Sequence, residues 1–327
     1  MCTEVDLHFV LPKRGIVTRT GTPDLTDLYT ITKGPVMKQN RQLLLLALLS
    51  FFCLPLFSAG VSQSPPAGIK VLTYNICWEC MTGKNAMGRH CPLVAGHATQ
   101  TVCTTNIADM LKNADSHYEG IDFIALQEAS RFTELDVLIP SMMPKFKKTH
   151  HKSGPEDQVT FYNHAKYNLE KEIVSEFSSG RPYQILIFKE KIIFVNLHNP
   201  HLDPKKNPAS YMEEKLSEGL TQKLTSAEIK SLQGFRIILA GDFNDSDNLL
   251  RVLTPFKGAG ISTQVSLKVV NPPKTCCSHT LSTGHSGTYD YVLDSNAAVP
   301  LLFEVPKGYD PTTPKSDHLP VMAVLPI

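Results

Sequence analysis

Residues 235–245 read FRIILAGDFND and join an apolar run to a polar, ionisable end. The β-branched and aromatic residues of 235–240 predict a buried strand, and the glycine and acidic residues that follow predict a turn leaving its carboxyl end. The same pattern recurs along the chain. Strands are predicted at 69–76, 121–126, 158–162, 183–188, 191–197, 235–240, 288–293 and 319–325.

Helical patterns lie between these strands. In the clearest one, Met212, Leu216, Leu220 and Leu224 recur every four residues and define one apolar face. The predicted helices are 99–112, 209–232 and 247–253.

The spacing of two strands decides how the sheets are built. Strands 183–188 and 191–197 are too close in sequence for a crossover connection, so they must pair antiparallel. This excludes a doubly wound parallel sheet. We expect an α/β fold in which two mainly antiparallel sheets pack face to face with helices outside, as one domain over 69–327.

The composition is that of an ordinary globular protein, with 42% hydrophobic and 19% charged residues. A formal net charge of +1 excludes a basic coat that would bind nucleic acid over the whole surface, but it allows a local basic cleft.

The strongest shift in composition lies at 37–60. Lys38 and Arg41 precede the apolar run 43–54, and small residues follow at 58–60. This pattern predicts a signal peptide and a secreted, periplasmic or lumenal protein, with a retained membrane anchor or a buried core helix as the alternatives. Met37 is then the expected start, 1–36 a non-native extension, and 61–68 a linker.

Cysteine usage agrees with export. Two of the eight cysteines precede residue 61, which leaves Cys77, Cys80, Cys91, Cys103, Cys276 and Cys277. An even number in an exported chain favours disulfides, with fifteen possible pairings, and we expect Cys276 and Cys277 to bond to different partners. A zinc site that includes Cys77-x-x-Cys80 is the alternative. A redox role for that motif is less favoured, since it needs a helix directly after a strand and Gly83 and Gly88 suggest a loop.

Polar and ionisable residues follow the predicted strands. Glu128, Asp242, Asp290 and Asp317 would repel one another if they met in one cleft, and a divalent cation would relieve that repulsion. Oxygen ligands favour Mg²⁺, or Mn²⁺ or Ca²⁺, over zinc. Carboxylates, histidines and asparagines around such an ion suit the attack of water on a phosphate ester.

Six short motifs occur in a characteristic order. They are Tyr74-Asn75, Leu126-Gln127-Glu128, Asn196-Leu197-His198, Gly241-Asp242-Phe243-Asn244, Asp290-Tyr291-Val292 and Ser316-Asp317-His318-Leu319-Pro320-Val321. Together they resemble the endonuclease/exonuclease/phosphatase superfamily of deoxyribonuclease I-like proteins. The resemblance implies a four-layered α/β sandwich with a metal-dependent phosphoesterase site at one edge of its sheets.

The resemblance also implies the metal ligands and the catalytic residues. Glu128 is the expected principal ligand, with Asn75 and Asp317 near the metal. The catalytic residues it implies are His318 as general base or water-orienting histidine, Asp290 as the partner that orients His318, Asp242 for positioning or deprotonating the water, Asn244 for holding a phosphate oxygen, and His198 for stabilising the phosphoryl group or leaving oxygen.

The substrate is less constrained than the chemistry. The motifs around Asn244 and Asp290 differ from those of inositol-polyphosphate phosphatases, which argues against phosphoinositides. Lys147 and Lys148, in a basic segment expected to form a loop, and His201 are the candidate substrate contacts. Glu79 and Asp245 are expected to be solvated.

These observations favour a monomeric endonuclease that hydrolyses DNA. The alternatives are a sphingomyelinase-like or other lipid phosphodiesterase or phosphatase that binds a phospholipid head group, and a binding protein without turnover. A lipid enzyme would need an exposed apolar loop, for which 256–261 is the candidate.

Overall fold

The computed structural model of the chain describes residues 66–82, 101–177, 179–201, 207–245, 250–269, 271–276, 287–296, 298–310, 313 and 316–327. The predicted leader at 37–60 and the extension before it lie outside these ranges. A compact unit spans Ser62–Ile327. Within the described ranges, no helix is both long enough and apolar enough to cross a membrane.

Strands and helices alternate along the chain. The strands are β1 (Ile69–Asn75), β2 (Phe123–Gln127), β3 (Phe146–Ser153), β4 (Glu156–Asn163), β5 (Leu169–Glu176), β6 (Pro182–Phe188), β7 (Ile192–His198), β8 (Arg236–Asp242), β9 (Val252–Leu253), β10 (Val265–Ser266), β11 (Asp290–Asp294), β12 (Leu302–Glu304) and β13 (Val321–Leu325). The helices are α1 (Trp78–Thr82), α2 (Thr101–His117), α3 (Phe132–Leu138), α4 (Pro208–Lys223) and α5 (Ser226–Ser231), with a 3-10 turn at Lys257–Ala259.

The strands form two sheets. The first has the order β12-β13-β1-β2-β4-β3 and the second β5-β6-β7-β8-β11-β10-β9. Each sheet contains one parallel pair, β1 with β2 and β7 with β8, and its other pairs are antiparallel. The predicted antiparallel pairing of β6 with β7 is confirmed.

Three apolar cores separate four layers. The central core lies between the sheets, where the rings of Phe123 and Phe194 stack with centroids 4.6 Å apart. A second core packs the first sheet against α2 and α3, and a third packs the second sheet against α4. The predicted four-layered α/β sandwich is therefore confirmed.

A buried polar cluster joins the two sheets. The side-chain oxygen of Asn196 accepts hydrogen bonds from Gln127 Nε2 and Gln158 Nε2, both at 2.8 Å, and Asn196 Nδ2 donates to Thr160 Oγ1 at 3.0 Å. Because such groups are costly to bury without partners, this network fixes the register of the sheets against each other.

Two predicted helices are wrong in detail. The segment 209–232 is divided into α4 and α5 because Thr225 and Glu228 form a capping box that begins a new helix. Of the predicted helix 247–253, residues 247–249 lie outside the described ranges, and Val252–Leu253 is strand β9 rather than helix.

Candidate functional site

Strand direction gathers the chemistry at one end of the sandwich. The carboxyl ends of the parallel strands β1 and β2 meet there, as do those of β7 and β8, while the antiparallel strands β4 and β11 begin there. A cavity of about 320 Å³ opens between these ends. Its lining residues are Asn75, Glu79, Glu128, Arg181, His198, His201, Asp242, Asn244, Tyr289, Asp317 and His318.

Asp242 lies at the centre of the site. Its Oδ2 is 3.4 Å from His198 Nε2 and 3.8 Å from His318 Nε2, and it accepts a hydrogen bond from Asn75 Nδ2 at 2.9 Å. Burial would raise the pKa of Asp242, but the two imidazoles lower it below its usual value. The group is therefore held as a carboxylate that both histidines face.

Glycine at position 241 allows this arrangement. A Cβ atom there would lie 1.9 Å from the backbone oxygen of Leu197 on the neighbouring strand. Only glycine lets β8 approach β7 so closely just before Asp242.

His318 is oriented by Asp290, as the motifs predict. The distance from His318 Nδ1 to Asp290 Oδ2 is 2.9 Å, and both residues are buried. Burial alone would lower the pKa of His318, but the carboxylates of Asp290 and Asp242 raise it well above its usual value. Burial also raises the pKa of Asp290, which the nearby His318 opposes.

His198 has a carboxylate partner that the motifs do not reveal. Its Nδ1 lies 2.8 Å from Glu156 Oε2. Burial would raise the pKa of Glu156, but the hydrogen bond and charge of His198 lower it. The sequence motifs lie at the carboxyl ends of strands, so they do not mark Glu156. Strand β4 runs antiparallel to β2 and brings its first residue, Glu156, to the site.

Arg181 is missed for the same reason, since it immediately precedes the antiparallel strand β6. Its Nη1 lies 3.0 Å from His198 Nδ1 and 4.0 Å from Glu128 Oε1, and its Nε lies 3.9 Å from Glu156 Oε1. The guanidinium therefore lies among acidic groups and faces the cavity.

Glu128 and Asn75 lie side by side at the ends of β2 and β1. Asn75 Nδ2 donates to Glu128 Oε1 at 3.2 Å, while Asn75 Oδ1 accepts from the backbone N–H of Cys77 at 3.0 Å. Asn75 Nδ2 thus donates to both Glu128 and Asp242 and lies between them. That Asn75 binds a metal directly remains a prediction.

Unusual backbone conformation is concentrated here. Cys77, Glu128 and Asn244 have φ values of 61°, 56° and 48°, in the left-handed region that residues with a side chain rarely adopt. Such conformations persist where the surrounding structure enforces them, and they are common at functional sites.

Three further predicted site residues lie at the cavity. Asn244, His201 and Asp317 all line the cavity, and Asn244 Nδ2 donates to the backbone oxygen of Asn199 at 2.7 Å. Burial and then Arg181 lower the pKa of His201.

Lys147 and Lys148 are not brought to the site. Their segment is the edge strand β3 rather than a loop, and they pair with Tyr162 and Phe161 near its far end. Lys148 lies about 17 Å along the strand from Ser153, which is the end nearest the cavity. It forms an ion pair with Asp136 on α3.

Of the two acidic residues expected to be solvated, Glu79 is partly exposed and Asp245 is not. Glu79 lines the cavity. Asp245 is buried, and its Oδ2 accepts a hydrogen bond from Leu250 N at 2.6 Å.

Cys77 and Cys80 form a disulfide. The bond removes the two thiolates that the alternative zinc site would need, so that alternative is wrong. Contrary to the expectation for this motif, helix α1 begins soon after β1, with Cys77 immediately before it and Cys80 within it, while Gly83 and Gly88 lie outside the described residues. Cys276 is disulfide-bonded as well, and the pairing of Cys277 lies outside the described residues.

The donor set fits a hard divalent cation. Glu128, Asp317 and Glu79 supply carboxylates around one cavity, and the clusters Glu128–Glu156–His198 and Asp242–Asp290–His318 each bring possible ligand atoms within 4.8 Å of one another. His198 Nε2 is buried without a hydrogen bond to any described residue. Oxygen-rich acidic sites of this kind suit Mg²⁺, Mn²⁺ or Ca²⁺.

The sequence has a distant viral relative. No protein-family model matches the chain. Uncharacterized protein L684 of Acanthamoeba polyphaga mimivirus is 26% identical over 267 residues, which are 78% of this chain and 50% of that protein. The chain thus spans about half the length of this relative.

Solved structures share the architecture. TDP2 from C. elegans matches with a TM-score of 0.50 and 16% identity, covering 86% of this chain and 83% of that one. A conserved protein of unknown function from Enterococcus faecalis V583 matches with a TM-score of 0.51 and 14% identity, covering 78% and 98%. These likenesses show that the chain has the deoxyribonuclease I-like fold.

Proposed function

We propose that this protein is a divalent-metal-dependent endonuclease that hydrolyses phosphodiester bonds of DNA. One observation carries the proposal. Two imidazoles, each oriented by its own carboxylate, face Asp242, and Glu128 lies beside His198. Hydrolysis of a phosphodiester needs one group that takes a proton from water and another that supplies a proton to the leaving oxygen, and this arrangement offers both.

The residues divide the work as follows. Asp290 holds His318 so that Nε2 faces Asp242, where the imidazole can orient a water whose proton the Asp242 carboxylate takes. Glu156 holds His198 so that Nε2 faces the same point, where it can supply a proton or hydrogen bond to the leaving oxygen. Asn244 is placed to donate to a phosphate oxygen.

Glu128 and Asp317 would hold the metal, and Asn75 lies beside Glu128. A Mg²⁺ bound there would supply charge neutralisation to the phosphoryl oxygens, which is the usual contribution of the ion in phosphoryl transfer.

The charge of the cavity favours a diester over a monoester. Four carboxylates line it, those of Glu79, Glu128, Asp242 and Asp317, and Arg181 is the one Lys or Arg among its described lining residues. A phosphodiester carries one negative charge and a phosphomonoester about two, so the diester meets less repulsion.

Two features support nucleic acid as substrate over lipid. Tyr289 lines the cavity and is partly exposed, so its ring is available to stack on a base. The segment 256–261, the candidate apolar loop for a lipid enzyme, begins and ends with buried residues, Phe256 and Ile261. We also propose that the protein acts after export. The Cys77–Cys80 disulfide supports this, because disulfides persist in oxidising compartments. We further propose that the protein acts as a monomer.

A substrate panel tests the proposal. The purified protein is incubated with supercoiled plasmid, RNA, sphingomyelin vesicles and phosphoinositide vesicles, each with Mg²⁺ or with EDTA. We expect Mg²⁺-dependent nicking of the plasmid and no nicking by His318→Ala. Cleavage of sphingomyelin without cleavage of nucleic acid would reject the nuclease and favour the lipid phosphodiesterase.

A further inference from the structure

The disulfide between Cys77 and Cys80 lies next to Asn75 and Glu128, two of the residues proposed to lie at the metal site. It closes a loop of four residues at the start of α1, with the two Cα atoms 5.2 Å apart. Both sulfur-bearing residues are buried, Cys77 at 1% exposure and Cys80 at 0%. We name residues 77–80 the disulfide loop.

Two backbone amides of the disulfide loop hold the two neighbouring site residues. The N–H of Trp78 donates to Glu128 Oε2 at 2.6 Å, and the N–H of Cys77 donates to Asn75 Oδ1 at 3.0 Å. One oxygen of Glu128 is thereby fixed by the loop, while Oε1 contacts Asn75 Nδ2 at 3.2 Å. The direction of the Glu128 carboxylate thus depends on where the loop lies.

The backbone of the loop needs a constraint to stay in place. Cys77 has φ of 61°, a conformation that costs a residue with a side chain free energy. The adjoining helix α1 has only five residues, too few to be stable by itself. The disulfide is a covalent constraint across this segment, and the N–H of Cys80 also points at Cys77 Sγ, 3.3 Å away.

We propose that the disulfide loop is a positioning element for the metal site: with the disulfide closed, it orients Glu128 and Asn75 for a divalent cation, and reduction of the disulfide weakens cation binding. The inference rests on the proposed function only in requiring that the cavity binds a metal. It gives the activity a dependence on the redox state of the compartment.

The reductive step is a thiol–disulfide exchange with a dithiol. Because both cysteines are buried, the segment must open locally before one thiolate of the dithiol attacks a sulfur of the Cys77–Cys80 bond and forms a mixed disulfide, which its second thiol then resolves. Two electrons pass to the protein, Cys77 and Cys80 each end as a thiol with one proton, and the dithiol becomes a cyclic disulfide.

Manganese binding measures the effect without requiring turnover. Free Mn²⁺ is followed by electron paramagnetic resonance during titration of the full chain, which gives a Kd for the oxidised protein, the dithiothreitol-treated protein and the double variant Cys77→Ala/Cys80→Ala. Loss of a group that orients a metal ligand typically weakens binding about 10–100-fold, so we expect that increase in Kd for both altered forms. Dithiothreitol should change the Kd of the double variant no further.

Two single variants complete the experiment. Trp78→Phe keeps the backbone N–H and both cysteines, and it should bind Mn²⁺ like the oxidised protein. Glu128→Gln should bind weakly whether oxidised or reduced. The melting transition of every form, followed by far-ultraviolet circular dichroism, checks that the folded structure is retained.

The possible failures are distinguishable. Equal Kd values for the oxidised protein and the double variant, with weak binding by Glu128→Gln, would overturn the positioning role and leave the metal site intact. Absence of Mn²⁺ binding by the oxidised protein would overturn both proposals. Loss of a cooperative melting transition in both altered forms would show that the disulfide is needed for the fold, and would overturn the specific role in metal binding.

Discussion

Replacement of Glu156 by Gln tests whether His198 works as half of a catalytic pair. The substitution keeps the shape of the side chain, so a hydrogen bond between position 156 and His198 Nδ1, now 2.8 Å, can persist. It removes the negative charge that stabilises His198 when the imidazole carries a second proton. The defect should therefore appear when a proton moves, and not when the substrate binds.

The size of the defect follows from the change in hydrogen bond. A bond to a charged group contributes about 1.5–3 kcal/mol and a neutral one about 0.5–1.5 kcal/mol, so the exchange costs about 1–1.5 kcal/mol. That difference corresponds to about a 5- to 13-fold decrease in kcat. Asp290→Asn should cost more, because Asp290 is 0% exposed whereas the side chain of Glu156 is 15% exposed, and charges interact more strongly away from water.

Steady-state cleavage of a labelled DNA duplex at saturating Mg²⁺ gives kcat and KM for each variant. Glu190→Gln is the matched control, since Glu190 lies in the turn at the opposite end of β7 and bonds to Asn168 at 2.8 Å and 3.0 Å. A Glu156→Gln enzyme with kcat within about twofold of this control would refute the paired-histidine account.

Three other substitutions and one control are predicted from the same structure. Glu128→Gln should raise the Mg²⁺ concentration needed for half-maximal activity, measured by metal titration, because it removes a charged ligand. His318→Ala should lower kcat about 10²–10⁴-fold with its melting temperature retained, and normal activity would show that the chemistry lies elsewhere. Gly241→Ala should destabilise the fold by about 3 kcal/mol or more in urea unfolding, because its Cβ would lie 1.9 Å from Leu197 O. Lys147→Ala should leave the salt dependence of DNA binding unchanged, since β3 holds it far from the cavity; a lower salt slope would restore its predicted role in binding phosphates.

The central strands could be predicted from the sequence because they are buried on both faces. The segments that became β1, β7 and β8 are predominantly apolar, and the four-layered arrangement follows from the number and close spacing of the predicted strands. Strand β3 could not be predicted in this way. It is an edge strand with an exposed face, and its lysines and histidines resemble those of a solvated loop.

The same reasoning explains which site residues were found. His198 and Asp242 follow apolar runs in the chain, so the carboxyl ends of their strands mark them. Glu156 is the first residue of β4 and Arg181 precedes β6. Only the antiparallel pairing of β4 with β2 and of β6 with β7 brings them to the same edge. Their role depends on topology, which a motif search along the chain does not contain.

The short helix α1, which begins next to Cys77, could not be predicted for a different reason. Glycines at 83 and 88 suggested a loop, yet α1 ends at Thr82, before either of them. A helix of one turn has almost no periodicity to detect, and the disulfide that constrains it is a tertiary feature. The contact between the Cys77-x-x-Cys80 segment and Glu128 could therefore be recognised only in the structure.

The most direct test of the central claim is single-turnover cleavage of a DNA duplex by the wild-type protein and by Asp242→Asn, each with Mg²⁺ and with EDTA. Asp242 is the carboxylate that both imidazoles face, so the account predicts Mg²⁺-dependent cleavage by the wild type and a rate at least about 100-fold lower for the variant, with an unchanged melting curve. Cleavage that persists in EDTA, or an Asp242→Asn protein that cuts at the wild-type rate, would contradict it.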